Sequence, residues 1–185
     1  MASVKSKTWP LAEATSVAED LITLLRPACE RIEVAGSVRR NRVLVGDVEL
    51  LVVSKEAPNT SLWLERPPLD ARILQLMAEG ILNYRLNKNG SRTFGPFNKL
   101  LAHIPSGIPI DLFSTTLANW GLSLVIRTGP KEFNIKMMAR LKTLGLQGHV
   151  NQPIQDQNGN PLPCPTEEIV FRLLGWPYQP PEERG

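Results

Sequence analysis

The chain has 185 residues, of which 42% are hydrophobic, and a formal net charge of +3 at pH 7. Its length fits one domain, or one domain with a small appendage. No apolar run approaches the roughly 18 residues of a membrane-spanning helix, and residues 1–7 are polar and lack the core of a signal peptide. These features exclude a membrane protein and favour a cytoplasmic one, with Cys29 and Cys164 as free thiols.

Charge is distributed unevenly along the chain. Residues 85–150 contain nine Lys or Arg residues and two acids, whereas the flanking segments together hold more acids than bases. A basic region of this kind suits a polyanion such as nucleic acid. The alternative is a solvated surface whose charges keep the protein soluble.

Hydrophobic periodicity and turn residues predict an alternation of helices and strands. The elements are, in chain order, a helix at 11–25 ended by Pro27, strands at 31–35 and 47–53, a loop bracketed by 57–59 and 67–68, a helix at 69–81, a hairpin of strands 93–104 and 108–114, helices at 119–126 and 130–144, a hairpin turn at 156–160, a helix at 169–174 and an extended tail at 177–183. Because hairpins as well as helices connect the strands, we predict an α+β fold with a mixed sheet.

Two acids stand one residue apart at the start of the second predicted strand. Side chains at positions i and i+2 of a strand point to one face, so Asp47 and Glu49 project together. Two such carboxylates repel each other unless a cation lies between them. Mg²⁺ is commonly held by one or two carboxylates plus substrate phosphates, so the pair predicts a divalent-cation site.

The segment before this strand suits phosphate groups. Gly36 and Ser37 form a small-residue turn that offers backbone N–H groups and a hydroxyl to phosphate oxygens. Arg39 and Arg40 can neutralise phosphate charge, although Arg39 could equally be a surface charge beside a functional arginine. Together with the acids, this segment suggests phosphoryl or nucleotidyl transfer.

A third acid, Asp111, lies within a strand-like run at 110–113. An edge strand with Asp111 facing water is one interpretation. The other places Asp111 beside Asp47 and Glu49 on an adjacent strand, because an acid in an apolar run needs a compensating partner. Three carboxylates around two cations form the two-metal arrangement for in-line displacement at phosphorus.

These residues resemble the signature of the family X DNA polymerases, within the polymerase-beta-like nucleotidyltransferase superfamily. Residues 36–49 resemble the family's Gly-Ser … Asp-x-Asp motif with the same internal spacing, and Asp111 matches its third carboxylate. Residues 126–129 stand where the family has Tyr-Phe-Thr-Gly, and Phe133-Asn134 also match. Two segments within 165–184 look like the end of the family's thumb. The chain is similar to a minimal palm-plus-thumb member of viral, phage or bacterial type.

The resemblance implies an N-terminal helix and palm at residues 1–116 and a thumb-like subdomain at 117–185. It implies that Asp47, Glu49 and Asp111 are catalytic and hold two Mg²⁺ ions, for which Mn²⁺ can substitute. The residues expected around a dNTP, or an NTP, are Gly36, Ser37, Arg39, Arg40, Gly46, Arg127, Thr128, Gly129 and Asn134.

The chain departs from the family pattern at the metal, sugar and base positions. The second acid is Glu49 instead of aspartate, and its longer side chain can still bridge two cations. Ile126 and Arg127 replace the Tyr-Phe whose backbone obstructs a 2′-hydroxyl, so we expect weak selection against ribonucleotides; Arg127 could also reach a phosphate or point to solvent. Lys131 stands where the family often has an aspartate, and Pro109 where many members have an arginine.

The expected partner is a DNA primer–template. Lys136, Arg140 and Lys142 occur at helical spacing and could follow template phosphates, or form a solvated helix face, while Lys99 and Arg92 are weaker candidate DNA contacts. We expect a monomer that binds no membrane, in the cytoplasm of a bacterial cell or a phage-infected host.

Three functions are open from the sequence. The leading one is a metal-dependent DNA polymerase that adds nucleotides to a primer 3′ end. A template-independent terminal transferase or a small-molecule nucleotidyltransferase could use the same palm, and the basic region favours a nucleic-acid acceptor over a small molecule. A non-catalytic DNA-binding protein is the third, and the three intact acids argue against it.

Overall fold

A computed structural model describes residues 7–56 and 66–184. Within these ranges the strands are β1 (Trp9–Pro10), β2 (Cys29–Val34), β3 (Leu44–Val45), β4 (Val48–Ser54), β5 (Leu82–Tyr84), β6 (Asn98–His103), β7 (Pro109–Ser114), β8 (Gln147–His149), β9 (Gln152–Gln155) and β10 (Pro161–Leu162). The helices are α1 (Leu11–Leu25), α2 (Gly36–Arg39), α3 (Pro68–Ala78), α4 (Trp120–Thr128), α5 (Lys131–Thr143) and α6 (Glu167–Leu174). No helix in these ranges is long and apolar enough to cross a bilayer.

The central sheet has the strand order β2-β4-β7-β6-β5 and aligns two of the predicted acids. Strands β4 and β7 are parallel, and their register places Glu49 opposite Asp111. The other pairs in this sheet are antiparallel, including the predicted hairpin of β6 and β7. A parallel pair requires a crossover connection, which here contains α3, β5 and β6. The predicted α+β fold with a mixed sheet is confirmed.

Helices α1 and α3 cover one face of this sheet. In α1 the buried positions recur every three or four residues, which gives the helix one apolar side. Leu21 and Leu25 are each 1% exposed, and burying one leucine contributes about 1.5–3 kcal/mol. They belong to the same apolar cluster as Leu50 and Val52 of β4. Since strand side chains alternate, Glu49 points to the opposite face.

The opposite face carries the acids and is covered by α4 at its far end. Trp120 and Leu124 of α4 form an apolar cluster with Leu51 and Val53, which lie on the same side of β4 as Glu49. Helix α4 therefore covers the part of this face formed by the residues of β4 that follow Glu49. The part that holds Glu49 itself borders a cleft.

The C-terminal region forms a second large apolar cluster. Phe133, Met137 and Leu141 recur every four residues on α5 and are buried in this cluster together with residues of α4, α6 and β9. Strands β8, β9 and β10 form a separate antiparallel sheet. The predicted turn at 156–160 is confirmed, and the Asp156 carboxylate accepts backbone hydrogen bonds there. The boundary between residues 116 and 117 stays a prediction.

Local structure differs from the sequence expectations at several places. Of the predicted strand 93–104 only Asn98–His103 forms β6, and the helix predicted at 69–81 ends at Ala78. The predicted Gly36-Ser37 turn is instead the start of α2, because the N–H of Arg40 donates to the carbonyl of Gly36 at 3.2 Å. Pro130 precedes α5 and is not its first residue. The tail contains a short 3₁₀ turn at Pro181–Glu183. The loop expected at 57–59 lies outside the described residues.

Candidate active site

The predicted acids influence one another across the sheet. Asp47 immediately precedes β4, Glu49 lies on β4, and Asp111 lies on the adjacent strand β7. Burial, followed by the charges of Asp47 and Asp111, raises the pKa of Glu49 to about 8. Burial also raises the pKa values of Asp47 and Asp111. Three carboxylates that oppose one another's ionisation have the donor chemistry of a divalent-cation site.

The acids are not gathered as a closed ligand cluster in this structure. Among the described residues, no group of three or more His, Cys, Asp or Glu side chains could hold a metal ion together. Asp111 instead forms a hydrogen-bonded ion pair with Arg85. Arg85 directly follows β5, two strands away, and its N–H donates to the carbonyl of Leu100 at 3.0 Å. The sequence analysis missed Arg85, because the partners are 26 residues apart and no motif marks it.

Gly36 brings the main chain against Glu49. A Cβ at position 36 would overlap the Oε2 of Glu49, and the φ of +62° is one that side-chain-bearing residues rarely adopt. Both facts favour glycine at this position. The backbone at the start of α2 therefore lies in direct contact with one of the acids.

A cleft of about 600 Å³ opens beside Glu49. This volume is within the range of about 300–1,000 Å³ that small-molecule sites occupy. The polar and glycine residues in its lining are Arg40, Glu49, Arg127, Thr128, Gly129, Lys131 and Asn134. Five of the predicted nucleotide-binding residues are thus brought together with one predicted metal ligand. Gly36, Ser37, Arg39 and Gly46 are not in the lining.

Arg127 is directed toward the acids. Its guanidinium lies 3.6 Å from the centroid of the Phe113 ring. Burial lowers the pKa of Arg127, while the charges of Glu49 and Asp111 oppose that change. Of the two alternatives left open for this side chain, the position argues against the one in which it points to solvent.

Arg40 and Asn134 line the cleft, and each has one buried polar side-chain atom without a hydrogen-bond partner among the described residues. Arg40 Nη1 donates to the carbonyl of Thr128, while its buried Nε has no partner among the described residues. Asn134 Nδ2 donates to the carbonyl of Ile126 at 2.7 Å, and its buried Oδ1 is similarly unpartnered within those residues. Buried polar atoms are normally hydrogen-bonded, so these two atoms are suited to a ligand.

Arg39 takes a different direction from its neighbour. Its two Nη atoms donate to the Glu167 carboxylate at 2.8 Å each, and Nη1 also donates to Thr128 Oγ1 at 2.9 Å. Glu167 accepts a further hydrogen bond from Arg184 at 2.9 Å. Burial favours a raised pKa for Glu167, but the hydrogen bonds from both arginines lower it overall. The position of Arg39 argues against the predicted phosphate contact and favours a structural role between α2 and α6.

The position of Lys99 argues against its predicted contact with DNA. The side chain is 2% exposed, its Nζ lies 3.0 Å from an oxygen of Asp70, and it donates to the carbonyl of Gly95 at 2.8 Å. A buried and paired ammonium does not reach a DNA phosphate. Lys99 instead borders a separate cavity of about 710 Å³ that contains none of the three predicted metal ligands.

The three cations predicted to follow DNA on α5 do not form one row. Lys136 and Arg140 are exposed and four residues apart, so they share a face of the helix. Lys142 is also exposed but lies two residues after Arg140, on another face. Arg140 Nε donates to the carbonyl of Leu174 at 3.0 Å, at the end of α6. Only Lys136 and Arg140 are therefore placed to act on a common ligand.

The mixed sheet with its acids, the adjoining cleft and the C-terminal helices agree with the resemblance to family X polymerases. Comparisons with known proteins support this resemblance. Residues 123–185 match the family model of the DNA polymerase beta thumb. The chain is also 28% identical over 164 residues to DNA polymerase lambda of Rattus norvegicus, which covers 80% of this chain and 28% of that relative. The chain thus spans less than a third of the relative's length.

Proposed function

We propose that this chain is a metal-dependent DNA polymerase that adds nucleotides to a primer 3′ end. The observation that supports it best is the cleft, in which Glu49 shares one cavity with Arg40, Arg127 and Asn134. Guanidinium groups that bind phosphate, unpartnered polar atoms and an acid suited to a cation fit a nucleoside triphosphate. The similarity to DNA polymerase lambda favours the same activity.

The residues of the cleft would bind and orient the nucleotide. Arg40 binds its terminal phosphates. Ser37 lies outside the cleft lining, and we propose that it adds a hydroxyl contact to those phosphates from the start of α2, where Gly36 contacts Glu49. Thr128 and Asn134 contact the sugar and base, with Asn134 Oδ1 accepting a hydrogen bond. In phosphoryl transfer, such positioning and charge stabilisation supply most of the catalysis.

The three acids offer the oxygen donors that divalent cations prefer, although the described residues form no closed ligand cluster and Asp111 pairs with Arg85. Asp47, Glu49 and Asp111 would hold Mg²⁺ or Mn²⁺, because a bound cation would offset the burial and mutual repulsion that oppose their ionisation. Such ions stabilise the charge that develops on the transferred phosphoryl group when they are bound. In this proposal Asp111 also accepts the proton of the primer 3′-hydroxyl.

We also propose weak selection against ribonucleotides. Ile126 and Arg127 line the cleft where the family resemblance places the sugar. The guanidinium of Arg127 is held against Phe113 and presents N–H donors, which can pair with a 2′-hydroxyl instead of obstructing it.

Extension of a labelled primer tests the proposal. The primer is offered annealed to a template or alone, with Mg²⁺ or Mn²⁺ and with each dNTP or NTP. We expect templated extension by the wild type, loss of extension by at least about a hundredfold in Asp111→Asn, and no change in Asp20→Asn, an exposed aspartate on α1. Extension without a template would favour a terminal transferase, and unchanged activity of Asp111→Asn would refute the proposed mechanism.

A further inference from the structure

The segment that joins β5 to β6 forms an ordered hairpin, which we call the basic hairpin (residues 84–94). Leu86 and Arg92 pair across it. Asn87 organises its turn: its Oδ1 accepts the N–H groups of Asn89 at 2.9 Å and Ser91 at 3.1 Å, and its backbone N–H donates to the carbonyl of Ser91 at 2.8 Å. The hairpin therefore presents its side chains from a defined backbone.

Two cations of the basic hairpin, Lys88 and Arg92, form no ion pair with the described residues. Residues 80–110 contain no acid. Both side chains are exposed. The Arg92 guanidinium stacks 4.6 Å from the centroid of the Tyr84 ring, and Phe94 contacts the same ring edge-on at 5.6 Å. The stack fixes the direction of one of the two exposed cations.

The basic hairpin begins next to one of the predicted metal ligands, Asp111. Arg85, the first residue after β5, is the one that pairs with Asp111. In the sheet, Arg85 and Asp111 both lie level with Leu100 of the intervening strand. Lys88 and Arg92 follow within seven residues of Arg85. The two exposed cations thus belong to a hairpin that begins beside the residue paired with Asp111.

We propose that the basic hairpin binds backbone phosphates of the nucleic-acid strand whose 3′ end lies at Asp111. Exposed, unpaired cations next to a site for a strand end give the charge pattern that a polyanion backbone neutralises. This inference rests on the proposed function, since the polymerase reaction is what places a strand end at Asp111. It adds a contact surface that is separate from the nucleotide cleft.

Binding of a fluorescein-labelled 20-base-pair primer–template duplex tests this contact. Anisotropy is measured at several salt concentrations, without metal or nucleotide, for the wild type and for the double variant Lys88→Gln/Arg92→Gln. Each phosphate contact contributes about 1 to the slope of log affinity against log salt. We expect the slope to shrink by about 2 and the affinity near 0.1 M salt to fall on the order of tenfold or more.

The matched control is Arg26→Gln/Lys55→Gln, which removes the same charge from two exposed positions. Both positions lie near the C-terminal end of β4, whereas Glu49 lies near its start. It should leave the slope unchanged, and equal losses in both variants would overturn the contact. An unchanged slope in the hairpin variant, with a wild type that binds and extends the duplex, would overturn this inference alone. A wild type that neither binds nor extends the duplex would overturn the proposed function with it.

Discussion

The buried carboxylate of Glu167 provides the sharpest test of how α2 and α6 are held together. Replacing it in Glu167→Gln removes the negative charge between Arg39 and Arg184, whose side chains are 19% and 0% exposed. The variant leaves the Arg184 guanidinium buried without a counter-charge. Breaking a buried ion pair in this way costs about 3–5 kcal/mol, which is a large fraction of the roughly 5–15 kcal/mol that stabilises a typical domain.

Urea unfolding measures this loss directly. With an m-value of about 2 kcal/mol/M, we expect the urea midpoint to fall by about 1.5–2.5 M. The control is Glu168→Gln, because Glu168 is the adjacent acid and is exposed. A fall of less than about 0.5 M in Glu167→Gln, or an equal fall in the control, would refute this reasoning.

The pH dependence of stability tests the same contact in a second way. The pKa of Glu167 is lowered from its ordinary value of 4.5 by its two arginine partners. Its stabilisation is therefore complete above that value and is lost as the pH falls through the lowered pKa. The wild type should lose more stability than Glu167→Gln when the pH is lowered below about 4.5.

Three further predictions concern the site and its support. The pKa of Glu49 is raised from 4.5 to about 8, so its contribution to the stability of the cation-free fold is complete below pH 4.5 and is lost as the pH rises through 8. Urea midpoints should fall over that range more steeply in the wild type than in Glu49→Gln, in which Asp47 and Asp111 still have raised pKa values. Gly121→Ala should cost about 1–3 kcal/mol or more in urea unfolding, because its Cβ would overlap the main chain of Thr166. Arg85→Gln removes the cation paired with Asp111, so Mn²⁺, followed by electron paramagnetic resonance, should bind roughly three- to tenfold more tightly.

Each of these predictions has a result that contradicts it. A pH dependence in Glu49→Gln equal to that of the wild type would show that another group titrates. Gly95→Ala serves as the control for Gly121→Ala, since its Cβ would lie 3.8 Å from the nearest atom, and similar losses in both would remove the steric explanation. Weaker Mn²⁺ binding by Arg85→Gln would show that Arg85 orients Asp111 for the cation and does not compete with it.

Patterns that are local in the sequence predicted most of the fold. The apolar spacing of residues 11–25 gave α1, and the apolar run after Glu49 gave β4. Pro105-Ser106-Gly107 marked the turn between β6 and β7. These elements depend on neighbours in the chain, so periodicity and turn chemistry are sufficient to find them.

The contacts that the sequence analysis missed join distant parts of the chain. Arg39 and Glu167 are 128 residues apart, and Arg85 reaches Asp111 across two strands. A sequence shows that a charge is present, but only the fold determines which counter-charge it meets. Lys99 is different, because its burial had a readable signal. Lys99 lies two residues before Leu101 on β6, and Leu101 is 0% exposed. Because side chains two residues apart on a strand point to the same face, both are expected on the buried face.

The alignment of Glu49 with Asp111 depends on main-chain hydrogen bonds between β4 and β7. Such bonds form with almost any strand-compatible side chains, so the separation of the two acids is insulated from exchanges among Val, Ile and Leu at their neighbours. Substitutions that preserve volume in a core usually cost less than about 1.5 kcal/mol. The chain can therefore diverge in sequence around this pair while the main-chain register that places position 49 opposite position 111 is kept.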